Sequence, residues 1–227
     1  MPVPRIERFG NATLHLGDCR ELIGTLPQVG GVVTDPPYGI EELVGGYSRS
    51  GATILNDRTL DCCFQALSLI AQRMVDFRMA AFYSARISDK FFGFVNQDVA
   101  LSGHYVDEII WDKKAPGMGA GVRYQHENVA LFEFGKPPRS AGDVMSVQPV
   151  MREPKFHPHQ KPIALLHTLI NVVGGQTILD PFMGSGSTGV AALAMGKAFI
   201  GIELDPRHFD TACRRIEEAS KQGAGLF

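Results

Sequence analysis

Cysteine is scarce in this chain: four residues among 227 (Cys19, Cys62, Cys63 and Cys213), with no C-x-x-C pair. That argues against both an oxidised framework and a zinc site, and no metal centre is expected. Long apolar runs are missing too; the longest reach about eight residues, against the roughly 20 that a membrane-spanning helix needs. The opening MPVPRIERFG lacks the apolar stretch of a secretory signal, so the expectation is a cytoplasmic protein. Charge of one sign is also absent, with 22 basic and 24 acidic side chains and a net charge of −2. A chain of this length buries roughly 70% of its unfolded surface and needs no covalent staple. One domain spanning residues 1–227 is expected.

The charge that is present is unevenly spread. Residues 1–110 hold 9 basic and 13 acidic side chains, residues 111–161 hold 8 and 5, and residues 162–227 hold 5 and 6. A mildly basic middle is one signature of a nucleic-acid contact, although a solvated surface reads the same way.

Hydrophobic periodicity predicts strands at 12–16, 31–34, 79–84, 103–112, 128–134, 177–180 and 198–204. Helical spacing appears at 60–76, 86–97, 161–173 with Pro162 in the first turn, 190–196, and from Pro206 to about 220. Residues 40–58 and 135–160 read as loops. Strands alternating with helices predict an α/β fold around a mostly parallel sheet with helices on both faces.

Three clusters carry chemistry. Asp180-Pro-Phe182-Met-Gly184-Ser185-Gly186-Ser187-Thr188-Gly189 is a glycine turn between a strand and a helix, where backbone can approach a ligand closely. Glu203 follows Gly184 by 19 residues at the end of the next strand, where a carboxylate can accept from ribose hydroxyls. The pattern also satisfies G-x-G-x-x-G, so a nicotinamide-dependent oxidoreductase is an alternative from another class. Against it, only 38 residues follow Gly189, and Asp180 would repel a pyrophosphate. Thr34-Asp35-Pro36-Pro37-Tyr38-Gly39 closes another strand; its two prolines remove two N–H donors and leave carbonyls and the Asp35 carboxylate as acceptors for an amino group. The third cluster, His157-Pro-His159-Gln160-Lys161-Pro162, precedes a helix whose N-terminus, with Lys161, suits a carboxylate.

Taken in order, these segments resemble the amino-directed DNA methyltransferases of the permuted β-class, which use S-adenosylmethionine and place D-P-P-Y ahead of the cofactor turn. Here the separation is 145 residues, from Asp35 to Asp180. LHLGDCRELIGTLP, IIWDK, HENVALFEFGKP and LDPFMGSGSTGVAALAMGKAFIGIELDP extend the likeness over nearly the whole chain. His159 departs from it, standing where the family pattern shows threonine or another small residue.

The resemblance implies a circularly permuted, Rossmann-like methyltransferase fold. It implies that Asp35, Pro36, Pro37 and Tyr38 hold and stack the target base. Asp180, Phe182, Gly184, Ser185, Gly186, Ser187 and Thr188 would cradle the methionine part of the cofactor, with Glu203 on its ribose. Asp18 and Cys19 would lie near its adenine, and Gln160, Lys161 and Pro162 near its carboxylate. An aspartate in the first motif position implies adenine N6 as the methyl acceptor in DNA; cytosine N4 is the alternative. Lys113, Lys114, Arg123, Arg139, Arg152 and Lys155 are the expected phosphate contacts. Loops 40–58 and 138–156 are the expected recognition regions, and homodimerisation is implied as well.

Overall fold

A computed structural model describes residues 5–37, 60–114, 123–135, 142–147 and 160–223. Two short apolar strands form its centre. β3 (Gly31–Thr34) is buried along its whole length, and β8 (Thr177–Asp180) is buried after its first residue. Strands covered on both faces read as unbroken apolar runs rather than alternating ones. Val32 packs toward one side of the sheet and Val33 toward the other.

The remaining strands are β1 (Arg5–Phe9), β2 (Ala12–Leu16), β4 (Phe77–Tyr83), β5 (Tyr105–Asp112), β6 (His126–Phe134), β7 (Val144–Ser146) and β9 (Ala198–Glu203). All nine join one sheet in the order β1-β2-β9-β8-β3-β4-β6-β5-β7. The run β2-β9-β8-β3-β4 is parallel, whereas β6 is antiparallel to both β4 and β5. The mostly parallel sheet expected from the sequence is therefore present.

Helices cover both faces, as expected. On one side lie α4 (Ile163–Val173), α5 (Ser187–Ala194) and α6 (Pro206–Gly223), through Leu165, Leu169, Ala191, Phe209 and Ile216. On the other lie α1 (Cys19–Leu22), α2 (Asp61–Arg73) and α3 (Ser88–Gln97), through Cys19, Leu67, Ile70 and Phe91. β8 connects to β9 through α5 on the first face, and β3 connects toward β4 through α2 on the second. The neighbouring strands β3 and β8 thus send the chain in opposite directions, which opens a crevice above their C-terminal ends. Asp35 and Asp180 stand at that crevice.

Three differences from the sequence reading have physical causes. β1 escaped notice because Ile6 is exposed and its other side chains do not alternate; it forms a hairpin with β2 through Gly10, whose φ is 55°. β7 lies in a stretch read as loop, since of its three residues only Met145 is buried. Pro162 stands just ahead of α4 rather than in its first turn, with its carbonyl accepting from Leu166 N–H at 3.1 Å.

At the opposite end of β3 and β8 from the crevice, Gly30 and Gly175 meet back to back. A Cβ on Gly175 would lie 2.4 Å from the Gly30 carbonyl carbon, and Gly175 has φ 80°. Gly175→Ala therefore combines a left-handed backbone with a clash against main chain, and is expected to cost about 2–4 kcal/mol. Thermal denaturation checks it; cofactor affinity of the folded fraction should not change, because this contact is remote from the crevice.

Candidate functional site

The crevice is organised by a buried carboxylate. Asp180 is 3% exposed. Its Oδ1 accepts from the Thr34 hydroxyl at 3.0 Å and the Phe182 N–H at 3.1 Å, and its Oδ2 from the Thr188 hydroxyl at 2.7 Å. Thr34 ends β3, so one hydrogen bond ties the D-P-P segment to the glycine turn across 146 residues of chain. Burial pushes the Asp180 carboxyl up to about 6, against the pull of Thr188, Phe182 and Thr34.

The turn is shaped for close approach. Gly186 has φ 80°, and a Cβ there would lie 3.0 Å from Ala212 of α6. Gly184 has φ 51° with nothing within 4 Å of its Cβ direction, so that side of the turn is open. The Gly184 N–H donates to Glu203 Oε2 at 2.9 Å, and the Asp205 N–H to Oε1 at 2.7 Å. Glu203 is thereby aimed at the turn, and burial lifts it to about 7 despite those backbone donors. The Gly17 N–H donates to the Glu203 carbonyl at 2.9 Å, which brings Asp18 and Cys19 alongside. Asp18 caps α1 through the Arg20 N–H at 2.9 Å and pairs with the Arg20 guanidinium at 2.5 Å, which holds it below the usual carboxylate range.

The D-P-P side is organised by a buried cation. Lys161 is 7% exposed, and its Nζ lies 2.5 Å from Asp35 Oδ2, 3.1 Å from Glu127 Oε2 and 4.8 Å from the centre of the Phe82 ring. Burial opposes its charge, but Asp35 and Glu127 outweigh that and raise its pKa. Lys161, expected near a cofactor carboxylate, is thus found paired with Asp35. Gln160 and Pro162 flank it.

Of the other expected residues, Pro36 and Pro37 continue from Asp35 at the crevice. Tyr38, Arg139, Arg152, Lys155, His157, His159 and loop 40–58 lie outside the described residues, as does loop 138–156 apart from 142–147. Two expected phosphate contacts are already engaged: Lys113 with Glu127 at 3.0 Å and Lys114 with Asp112 at 2.8 Å. Arg123 is exposed. Among the described residues, no group of three or more His, Cys, Asp or Glu side chains could hold a metal ion, and no helix is long and apolar enough to cross a membrane.

Sequence reasoning missed Thr34, Glu127 and Arg215. Arg215 of α6 donates to the Ser185 carbonyl at 2.6 Å, to its hydroxyl at 3.0 Å and to the Ser187 hydroxyl at 3.1 Å, bracing the turn from behind. No local pattern marks an arginine on an amphipathic helix for such a role.

Comparison with known proteins agrees with this geometry. A family model described as DNA methylase matches residues 140–214. YubD of Escherichia coli (strain K12), named as a methylase, is 33% identical over 223 residues, covering 92% of each chain. The chain belongs to the N6-adenine/N4-cytosine DNA methyltransferase family. The DNA adenine methyltransferase YhdJ of Escherichia coli is 35% identical over 120 residues, 52% of this chain and 41% of YhdJ. Type II methyltransferase M2.DpnII of Streptococcus pneumoniae is 33% identical over 116 residues, 50% of this chain and 43% of its own.

The fold is shared with M1.HpyAVI in complex with S-adenosylmethionine (TM-score 0.63, 24% identity, 90% of this chain and 99% of that one). It is shared also with the cytosine-N4-specific PvuII DNA methyltransferase (TM-score 0.72, 15% identity, 96% and 92%). S-adenosylmethionine is the cofactor of this methyltransferase, and the open side of Gly184 with Glu203 beside it fits an adenosine-bearing ligand. The nicotinamide alternative is overturned by the family membership.

Removal of the Thr34 hydroxyl tests the tie between the two halves of the site. Thr34→Val, at a position 1% exposed, is expected to cost about 1–3 kcal/mol, lowering Tm by about 2–4 °C for each. The Asp180 carboxyl is raised to about 6, so it is protonated at pH 5 and ionised at pH 8. The hydroxyl serves the ionised form, and the deficit should be larger at pH 8. Calorimetric melts at both pH values check the size and the sign.

Proposed function

We propose that this chain methylates the exocyclic N6 amine of adenine in DNA, acting on a base turned out of the helix. The observation that carries the reading is the Thr34–Asp180 hydrogen bond, which sets the D-P-P acceptors and the glycine turn at one crevice. A base inside a duplex presents its amine to the groove rather than to a protein cavity, so it must leave the stack at a cost of a few kcal/mol. S-adenosylmethionine, when bound, supplies a methyl group whose bond to sulfur breaks as a bond to the amine nitrogen forms.

The chain's own residues supply position and charge. The amine lone pair is delocalised into the ring and attacks poorly. Asp35 and the Pro36 carbonyl accept its two N–H bonds, which favours the pyramidal nitrogen and aims the lone pair. As the nitrogen becomes cationic, the Asp35 carboxylate stabilises the charge and takes the departing proton, which passes to solvent. Tyr38 is proposed to stack on the base. Glu203 is proposed to accept from the ribose hydroxyls, and Asp180 to hold the turn that carries the methionine end.

Asp35 supports adenine over cytosine, and the name of the relative YhdJ agrees. Phosphate contact is assigned to Arg123, Arg139, Arg152 and Lys155, with Lys113 and Lys114 reaching DNA only by exchanging their carboxylate partners. A homodimer would enlarge the DNA footprint, and light scattering of the pure protein tests it.

Asp35→Ala is expected to abolish methyl incorporation while S-adenosylmethionine affinity stays close to wild type, since Glu127 remains as counter-ion for Lys161. Retained incorporation would remove Asp35 from the chemistry. A second measurement addresses Glu203. With its carboxyl raised to about 7, the cofactor must meet an ionised acceptor, so affinity should weaken about tenfold per pH unit below 7. Titration calorimetry from pH 5.5 to 8 checks this; Glu203→Gln should bind weakly and without that slope.

A further inference from the structure

Lys161 pairs with two carboxylates, and the farther one is itself held by a second lysine. Glu127, the second residue of β6, accepts from Lys113 Nζ at 3.0 Å through Oε1, and its Oε2 lies 3.1 Å from Lys161 Nζ. Four groups of alternating sign therefore run Lys113, Glu127, Lys161, Asp35. They come from the end of β5, the start of β6, the segment before α4 and the segment after β3. We propose that Glu127 is a positioning residue for methyl transfer, acting on Asp35 through Lys161.

An ammonium buried against one carboxylate forms a closed pair and cancels most of the charge that Asp35 needs to present to an amine. A second carboxylate on the same ammonium takes a share of its field and leaves Asp35 more negative toward the crevice. The Asp35 contact, at 2.5 Å, is the shorter of the two, against 3.1 Å to Glu127 Oε2. Lys161 is thus held chiefly by Asp35 while Glu127 supplies a second negative charge to the same ammonium. Phe82, with its ring 4.8 Å from Nζ, closes a further side and limits where the ammonium can swing. Lys113 fixes the outer end of Glu127; burial pushes that carboxyl up, but Lys161 and then Lys113 outweigh it and hold it below its usual range.

The inference rests on the methyltransferase reading of the same crevice, and its test separates the two. Steady-state methylation of unmethylated DNA would be measured for wild type, Glu127→Gln and Glu127→Asp, with S-adenosylmethionine affinity by calorimetry on each. Glu127→Gln is expected to lower kcat roughly 10- to 100-fold, the size of effect that follows misplacement of a reacting group, with cofactor affinity and DNA KM unchanged. Glu127→Asp should recover part of that loss, because the charge returns at a longer reach.

Unchanged kcat in Glu127→Gln, or a loss confined to cofactor affinity, would overturn the proposal; the second result would assign Lys161 to the cofactor. If Glu127→Gln fails to fold, Lys113→Met releases the outer end of the same chain and is expected to lower kcat by a smaller factor. No change in kcat there would equally overturn it. A wild-type protein that methylates no DNA would sink the function reading and this inference with it, whereas an active wild type beside an unaffected variant sinks only the role of Glu127.

Discussion

Two carboxylates emerge from adjacent parallel strands at the same end of one sheet, and the site exists because their repulsion is resolved in two different ways. Asp180 is buried, takes three protein hydrogen bonds and is raised to about 6, with Asp35 among the causes. Asp35 stands at the crevice and is matched by the ammonium of Lys161 at 2.5 Å. One carboxylate is taken up by the fold and the other is paired with a cation at the crevice. The Thr34 hydroxyl, one residue before Asp35 at the end of β3, makes the difference by giving its hydrogen bond to Asp180.

From that division the rest of the site follows. Asp180 fixes the turn from above while Arg215 braces it from behind. Glu203 reaches back to Gly184, so the ends of β8 and β9 frame one open pocket of main chain. Gly17 joins the end of β2 to the same frame. Three parallel strands thereby contribute to the side where the cofactor is proposed to bind, and β3, β4 and β6 to the side where the base is proposed to enter. The helices on either face hold these strand ends in place and contribute single side chains to the site, Thr188 of α5 on Asp180 and Arg215 of α6 on the turn.

Much of this was legible in the sequence, for identifiable reasons. The β8–turn–β9 unit shows itself because close backbone approach needs glycine at 184 and 186 and a carboxylate 19 residues on. The D-P-P segment shows itself because two prolines end a strand without ambiguity. What stayed hidden has residues with more than one plausible use. Thr34 reads as an ordinary β-branched strand residue, Glu127 as a polar position in an alternating strand, and Arg215 as solvated helix surface. The pairing of Lys161 with Asp35 was not legible either, because spacing places a lysine before a helix and says nothing of which acid it meets across the sheet. Lys113 and Lys114 carry the charge that a phosphate would want, yet both already have carboxylates. Pairings between distant segments are set by strand order, which no local pattern encodes.

The most direct measurement of the central claim is the identity of the methylated product. Unmethylated DNA would be incubated with the purified protein and S-adenosylmethionine carrying a deuterated methyl group, digested to nucleosides and analysed by mass spectrometry. The account predicts deuterated N6-methyladenine. Deuterated N4-methylcytosine would contradict the choice of base while leaving the crevice as its site, and the absence of any labelled base on single- or double-stranded DNA would contradict the account itself.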